Sequence, residues 1–344
     1  LKSTTVLLGL ALVVYTFFGA GGLFWKFLLW VFFVGLTALN VKSLRSEFIS
    51  SHVLLIFRKM LPPMSKTEQD ALEAGSVWWE GELFSGIPQW KLLNDLPIPK
   101  LSDEEQAFLD EPTEELCHML DNWEITHELL DLPPKVWNFI KKKGFFSMAI
   151  PKEYGGLGFS PLAISFVLTK IASRNTTAAS TIGVPNSLGP AELLLHYGTE
   201  EQKNKWLPGL ASAKEIPCFA LTSTRAGSDA TAIADRGVVC KGNFDGREIV
   251  GIRLNWEKRY ITLAPIATVL GLAFKLYDPD HLIGEKDEYG ITAALIPTDL
   301  PGIEIGRRHF PINIPFQNGP TLGKDVFVPL DCIIGGPDMA GQGW

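Results

Sequence analysis

The stretch that decides the fold runs from residue 153 to residue 229. Its motifs, in chain order, are EYGGLG (153–158), GVPNSLG (183–189), YGTEEQK (197–203), WLPGLA (206–211) and ALTSTRAGSD (220–229). Apolar residues at helical spacing fill residues 160–173 and 191–197. Thr199 and Gln202 have the spacing of a capping box, which predicts that another helix begins there.

The glycines of EYGGLG permit a tight turn before a helix that starts near Pro161. A phosphate-binding loop is the alternative use of such glycines. The chain has no GxxxxGK-S/T sequence and no strand–GxGxxG–helix order, so we interpret EYGGLG as a plain turn.

Working outward toward the N-terminus, the pattern predicts more helix. We expect helices over residues 68–79, 103–127 and 135–142. Ser102 and Glu105 have capping-box spacing, and Gly144 suits a helix end in left-handed backbone.

Beyond residue 216 the pattern changes to short apolar runs separated by Gly, Pro and Asp, which are typical of strands. The predicted strands are residues 218–222, 237–241, 259–263, 269–277, 291–297, 303–305 and 325–328. An all-β region after a helical region favours an α+β protein with separate layers over a doubly wound sheet.

The order and spacing of the five motifs resemble the acyl-CoA dehydrogenases. The closest likeness is to the long, membrane-anchored bacterial fatty acyl-CoA dehydrogenases. Further pieces of that likeness are PPMSKTE (62–68), WWEG (78–81), ITHEL (125–129) and GRRHFP (306–311). The resemblance implies a helical domain, then a β-barrel-like or antiparallel β domain, with the family's C-terminal helical bundle missing from this chain.

The resemblance also implies an FAD site. Phe219, Leu221 and Thr222 would contact the flavin ring, and Gly227 would let the backbone approach it closely. Ser228 matches a position that contacts either the flavin phosphate or the pantetheine end of the CoA substrate.

A second family motif, K-x-W-I-T, corresponds here to KRYIT (258–262). Tyr260 stands where a tryptophan usually shields the flavin, and Thr262 matches the threonine that hydrogen-bonds near N5. Ser223 and Thr224 replace the common Glu-Pro. Ordinary strand threonines and core aromatic residues are the alternative interpretation of these positions.

The implied reaction is FAD-dependent oxidation of a fatty acyl-CoA to a trans-2-enoyl-CoA in fatty acid β-oxidation. The expected electron acceptor is an electron-transfer flavoprotein, and the expected assembly is a homo-oligomer. In the family the catalytic base is a glutamate of the C-terminal helical domain, so we expect no catalytic residue in this chain. The alternatives are an acyl-CoA oxidase and a non-catalytic, membrane-tethered remnant that binds acyl-CoA or a partner.

ArgArgHis (307–309) could recognise a CoA phosphate or form a solvated turn.

Composition excludes other classes of protein. A net charge of -7 without a basic stripe argues against a nucleic-acid partner. The four cysteines form no CxxC and the six histidines are scattered, so we expect reduced thiols and no metal site.

The N-terminus predicts membrane attachment. Residues 3–41 contain one charged side chain, Lys26, and residues 23–41 are long enough for one span. A hairpin with a turn at residues 19–22 is the alternative. The apolar segment is followed by four basic residues, Lys42, Arg45, Arg58 and Lys59. They favour an inner-membrane protein whose soluble part faces the bacterial cytoplasm. Residues 43–61 suit a helix lying on lipid or one packed against the soluble domain.

These inferences give a domain plan. Residues 1–42 are a membrane anchor of one or two helices, 43–100 an amphipathic helix and linker, 101–215 the N-terminal helical domain, 216–335 the middle β domain, and 336–344 the start of a truncated C-terminal helical domain.

Overall fold

The computed structural model describes residues 2–61, 69, 72, 75, 77–187 and 189–343. The motif PPMSKTE, most of the predicted helix over residues 68–79, and Leu188 of GVPNSLG lie outside the described residues. The chain forms two compact units, Leu1–Gly75 and Ser76–Trp344, which we describe separately.

The first unit begins with an apolar helical hairpin made of α1 (Lys2–Phe18) and α2 (Leu23–Ala38). Near the turn, the Lys26 Nζ donates to the Thr16 carbonyl at 2.9 Å, and the Trp30 indole N–H donates to the Thr16 hydroxyl at 3.0 Å. At the opposite end the Asn40 amide donates to the Thr5 hydroxyl at 2.9 Å. Hydrogen bonds at both ends therefore hold the two helices side by side. The segment forms a hairpin, the alternative to one continuous helix.

A second helical stretch follows the hairpin. It consists of α3 (Lys42–Arg45), a π-helical turn (Ser46–Ser50) and α4 (Ser51–Met60). Within the described residues, no single helix combines the length and the apolar character needed to cross a bilayer. The segments Leu23–Ala38 and Lys42–Met60 meet that test only as a pair, with a 92° bend between them.

The second unit opens with helices, and those between residues 103 and 183 pack around an apolar core of their own. The helices are α5 (Trp90–Asn94), α6 (Asp103–Asp110), α7 (Pro112–Met119), a π-helical turn (Glu124–Leu129), α8 (Pro134–Lys142), α9 (Pro161–Arg174), α10 (Thr176–Gly183), α11 (Pro190–Tyr197) and α12 (Glu200–Ala211). The capping boxes at Ser102 and Thr199 are both confirmed.

One helix prediction is wrong, because residues 103–127 do not form a continuous helix. Pro112 is the first residue of α7, since a proline in a helix interior would remove a hydrogen bond and clash with the preceding turn. A second break follows Met119, and the Asp121 carboxylate accepts hydrogen bonds from the Trp123 and Glu124 amides there.

EYGGLG is the predicted turn. Gly155 and Gly158 have positive φ values of 86° and 63°. A Cβ at Gly156 would lie 2.1 Å from the Ile150 carbonyl oxygen, so only glycine fits there.

The strands form one sheet that packs against the helical part of the unit. They are β1 (Pro217–Ala220), β2 (Arg236–Phe244), β3 (Arg247–Thr262), β4 (Val269–Tyr277), β5 (Glu288–Pro297), β6 (Ile303–Ile305) and β7 (Asn318–Pro329). The order is β1-β4-β2-β3-β7-β6, with β5 also paired to β4. The expected antiparallel sheet needs correction: the sheet is mixed, because β1 and β2 both pair with β4 in parallel.

An apolar cluster joins the helices to the sheet. Leu194 of α11 and Leu207 of α12 pack with Val269 and Leu295 of the sheet. The Gln202 amide adds a polar tie, since it donates to the carbonyls of Asp331 and Ile333 at 2.9 and 2.7 Å. An apolar cluster and a polar contact therefore join α11 and α12 to the sheet and to the segment after β7.

Candidate active site

The two predicted flavin-facing motifs lie side by side. The Arg259 amide donates to the Thr222 carbonyl at 3.1 Å, and Ser223 forms an isolated antiparallel bridge with Lys258. These contacts place the segment after β1 along the end of β3. Residues distant in sequence thus form one continuous polar and aromatic surface.

Tyr260 projects from a bulge in β3. The pairing of β3 with β7 shifts register between Lys258 and Ile261, and Tyr260 has a φ of 60°. A positive φ is uncommon outside glycine, and such strained residues cluster at functional sites. The bulge leaves the Tyr260 side chain 57% exposed, so its ring can cover a ligand.

Neighbouring side chains orient the Tyr260 ring. His309 meets it edge-to-face, with the ring centroids 5.0 Å apart, and the Arg259 guanidinium lies 5.3 Å from its centroid. The Arg259 guanidinium also donates to the Thr224 carbonyl at 2.9 Å. Sequence inspection did not place either residue beside Tyr260. Arg259 is the variable position of the K-x-W-I-T motif, and His309 was considered only as part of a CoA-phosphate site or a solvated turn.

Two threonines lie on the segments that meet here, Thr222 after β1 and Thr262 at the end of β3. In the described part of the chain, the side chains of Thr222 and Thr262 make no hydrogen bond, and both are half-buried. Thr262 pairs with Asn318 of β7, whose side-chain oxygen is buried and has no partner among the described residues. The Thr222 carbonyl accepts from the Arg259 amide, and Thr262 follows three residues later, so the two threonines lie on segments that are paired at Arg259.

Phe219 occupies a different position from the residues above. It pairs with Gly271 of β4, where an added Cβ would lie 2.8 Å from the Phe219 ring. The ring lines a cavity of about 240 Å³ together with Leu193, Tyr197 and Met339. Phe219 therefore lies at the edge of a small apolar cavity, two residues before Leu221 and next to β4.

Gly227 and Ser228 lie further along the loop and are exposed. A Cβ added at Gly227 would meet nothing within 4 Å. The adjoining Asp229 carboxylate accepts a hydrogen bond from the Thr231 amide at 3.2 Å and begins a short helical turn. The structure thus leaves open space on the Gly227 side of the loop, and among the described residues no hydrogen bond joins Ser228 to Thr222.

The Arg308 side chain makes hydrogen bonds within the protein. Its guanidinium donates to the carbonyls of Leu130 and Pro315 at 3.0 and 3.2 Å. Nearby, the Gln317 amide donates to the Asp131 carboxylate at 2.7 Å. These bonds tie the segment between β6 and β7 to the helical part of the unit, a role that no local sequence pattern indicates.

The fold and the paired motifs define the class of protein, and the family comparison agrees. The profile described as "Acyl-CoA dehydrogenase, N-terminal domain" matches residues 102–214, and "Acyl-CoA dehydrogenase, middle domain" matches residues 218–316. Together they cover more than half of the chain, and the chain belongs to the acyl-CoA dehydrogenase family.

Several curated proteins are similar to the chain. The probable acyl-CoA dehydrogenase FadE10 of Mycobacterium tuberculosis is 30% identical over 259 residues, which cover 74% of this chain and 37% of the relative. The human mitochondrial short-chain specific acyl-CoA dehydrogenase is 31% identical over 199 residues, 57% of this chain and 44% of the relative. A protein called HemX from Proteus mirabilis is 71% identical over 72 residues, 21% of this chain and 42% of the relative. The chain therefore spans about two fifths of the length of these curated relatives.

Solved structures share the fold. The glutaryl-coenzyme A dehydrogenase–glutaryl-CoA complex superposes with a TM-score of 0.59 and 26% identity, over 72% of this chain and 60% of that one. Butyryl-CoA dehydrogenase from Megasphaera elsdenii gives 0.60 and 23%, over 72% and 61%. Acyl-CoA dehydrogenase complexed with FAD from Bacillus anthracis gives 0.59 and 21%, over 73% and 40%.

Proposed function

We propose that the complete protein is an FAD-dependent acyl-CoA dehydrogenase that converts a fatty acyl-CoA to its trans-2-enoyl-CoA, and that this chain supplies one wall of the flavin site. The observation that carries the proposal is the pairing of the two motif segments through the Arg259 amide and the Thr222 carbonyl. These segments carry the exposed Tyr260 ring and two hydroxyls that have no partner among the described residues, those of Thr222 and Thr262. Relatives and neighbours named as acyl-CoA dehydrogenases, one of them complexed with FAD, support the same assignment.

The residues present fit a flavin. An isoalloxazine ring is flat and aromatic, with polar atoms along its edges. The paired segments offer an exposed aromatic ring, that of Tyr260, and two available hydroxyls. The Thr222 and Thr262 hydroxyls would donate to those polar atoms, and the Tyr260 ring would exclude water from one edge of the ring. When bound, the flavin supplies the hydride acceptor for the β-carbon of the substrate. We assign no carboxylate of this chain to removal of the α-proton.

The test uses protein expressed from the full reading frame in detergent. A flavoprotein dehydrogenase should copurify with a yellow cofactor that bleaches when a fatty acyl-CoA is added without oxygen. Addition of an electron-transfer flavoprotein should then restore the oxidised spectrum. A preparation free of flavin, and unable to take it up, would contradict the proposal and favour a non-catalytic binding protein.

The acyl-CoA oxidase alternative differs in its acceptor. An oxidase would form hydrogen peroxide in air at the rate of enoyl-CoA formation, without an added acceptor. The dehydrogenase proposal predicts little peroxide and a rate that depends on the electron-transfer flavoprotein.

We further propose that the first unit attaches the protein to the cytoplasmic face of a bacterial inner membrane. The support is the composition of the α1–α2 hairpin and the basic side chains at and beyond its end. Cationic side chains near apolar segments favour anionic lipid, at about 1 kcal/mol each near the surface. This location suits long-chain acyl-CoA substrates, which partition near lipid.

Vesicle flotation tests the attachment. Replacing four basic residues by Gln should weaken binding to vesicles that contain an anionic lipid: Lys42, Arg45, Arg58 and Lys59. The matched control replaces four lysines of the second unit, Lys135, Lys141, Lys142 and Lys143, and should leave binding unchanged. Equal flotation of wild type and both variants on neutral and anionic vesicles would contradict an electrostatic contribution. A preference for short acyl chains would contradict the substrate proposal.

A further inference from the structure

A buried ion pair lies directly behind the candidate flavin surface. The Lys258 Nζ is 2.7 Å from an Asp235 carboxylate oxygen, and their side chains are 0% and 3% exposed. The same ammonium donates to the Leu221 carbonyl at 2.8 Å. Lys258 therefore connects Asp235 to the residue that precedes Thr222.

Asp235 in turn connects two strands of the sheet. Its other carboxylate oxygen accepts from the Glu257 amide of β3 at 2.8 Å, and its backbone carbonyl accepts from the Lys275 amide of β4 at 2.9 Å. Burial lowers the pKa of Lys258, and the Asp235 carboxylate acts in the opposite direction. The pair thus holds a cation against β3, β4 and the loop after β1.

Burying two charges costs desolvation free energy, which their mutual attraction only partly offsets. Well-packed apolar side chains of similar volume often give equal or greater stability, whereas removing one partner leaves an uncompensated charge. An apolar pair, however, could not donate a hydrogen bond to the Leu221 carbonyl. The Lys258 donor fixes the backbone just before Thr222, whose own carbonyl receives the Arg259 amide.

We propose that Lys258 and Asp235 are positioning residues of the flavin site: the Lys258 ammonium sets the spacing between the Leu221–Thr222 backbone and the Arg259–Thr262 strand, so that the Thr222 and Thr262 hydroxyls face one flavin. The inference rests on the proposed flavin function. Neither residue touches the flavin in this arrangement, because both side chains are buried behind the surface.

The experiment compares D235N with the double variant K258M/D235N in the full-length protein. The amide side chain introduced by D235N keeps an oxygen for the Glu257 amide, so D235N removes a charge and retains the Lys258 donor. The double variant removes both charges and also the donor to Leu221. K91M is the matched control, because Lys91 pairs with Asp95 on the surface, where the side chains are 85% and 58% exposed.

Two readouts are measured for each variant. One is the dissociation constant for FAD, together with the flavin absorbance spectrum. The other is hydrogen–deuterium exchange, without added FAD, of a peptide that contains the Arg259 amide. The second readout follows the strand spacing directly and needs no bound cofactor.

The double variant should bind FAD at least tenfold more weakly than D235N and should exchange the Arg259 amide at least tenfold faster. K91M should match wild type in both. Equal FAD affinity and equal Arg259 exchange in D235N and K258M/D235N would overturn the positioning role.

A second variant covers the case in which the double variant does not fold. K258R keeps a cation and should retain Arg259 protection, and loss of that protection in a folded K258R would also overturn the role. Wild-type protein that binds no FAD would instead contradict the proposed function, and the exchange result would still decide whether Lys258 sets the spacing.

Discussion

The backbone amide of Arg259 donates to the backbone carbonyl of Thr222 over 3.1 Å, and this bond joins the two motifs of the candidate site. Backbone atoms form this bond, and the Lys258 ammonium donates to the neighbouring Leu221 carbonyl at 2.8 Å. The bond also brings Thr222 alongside Arg259, the residue before Tyr260. Substitutions around this bond should therefore separate effects on the cofactor from effects on folding.

The Thr222 and Thr262 hydroxyls should contribute to cofactor affinity and not to stability. Thr222→Val and Thr262→Val keep the side-chain shape and remove a group that has no partner in the described part of the chain. A hydrogen bond contributes about 0.5–1.5 kcal/mol net, so each variant should bind FAD about two- to tenfold more weakly, as measured by fluorescence titration. Thr224→Val, at an exposed neighbour, is the control and should bind as wild type. Unchanged FAD affinity in the double variant T222V/T262V would show that these hydroxyls do not face the flavin.

Two glycines near the site should respond differently to the same added methyl group. Gly227→Ala meets open space, so its thermal stability should be unchanged, while FAD affinity should fall because the methyl group occupies room beside the loop. Gly271→Ala would bring a Cβ to 2.8 Å from the Phe219 ring, so the variant should lose about 1–3 kcal/mol of stability. Urea unfolding and FAD titration of both variants test the contrast. A Gly227→Ala variant with wild-type affinity would place the flavin away from this loop.

The sequence predicted the type of most elements because local chemistry determines them. The bounds of β4 and β6 match the predicted ranges, since Gly, Pro and Asp end the apolar runs on both sides. Residues 247–258 of β3 were missed, because charged residues at exposed positions mask a strand that is held by β2 and β7. The parallel pairing of β1 and β2 with β4 depends on contacts between distant segments and has no local signal.

Contacts between distant segments also limited the prediction of the site. Motif comparison selected Thr222, Tyr260 and Thr262, and the structure brings their two segments together. It did not select Asp235, because nothing near Asp235 in sequence indicates that Lys258 would be buried against it. Whether the selected residues bind FAD stays a prediction that the substitutions above test.

The stability of the protein should depend on the amide group of Gln202. Its amide nitrogen donates to the Asp331 and Ile333 carbonyls, and its oxygen accepts from the Gly335 amide at 2.9 Å. Gln202→Glu replaces the donor by a carboxylate oxygen that faces two carbonyls, so we expect a loss of about 2–4 kcal/mol in the free energy of unfolding. Gln89→Glu, at an exposed position, is the matched control and should change stability by less than about 0.5 kcal/mol. Equal urea midpoints for the two variants would mean that the segment after Asp331 is not held by this amide.

Glu105 should make the stability of the helical part depend on pH. Its carboxylate accepts from the backbone amides of Ser102 at 2.8 Å and Ser160 at 2.6 Å, so it caps the starts of both α6 and α9. These bonds, led by that from Ser102, lower the pKa of Glu105 from 4.5 to about 2, against the opposing effect of burial.

The direction of the pH effect follows from that lowered pKa. Above about 4.5 the carboxylate is ionised in both states, and its full stabilisation is present. As the pH falls from about 4.5 to about 2, the unfolded chain takes up a proton that the folded chain does not, so the stabilisation is lost. Glu105→Gln should cost about 1.5–3 kcal/mol at pH 7, and its deficit relative to wild type should shrink steadily toward about pH 3 in urea unfolding. Glu104→Gln, which removes an exposed ion pair with Lys152, should cost less than about 1 kcal/mol and serves as the control. A deficit for Glu105→Gln that stays constant over this acid range would mean that the carboxylate does not retain its charge at these two helix starts.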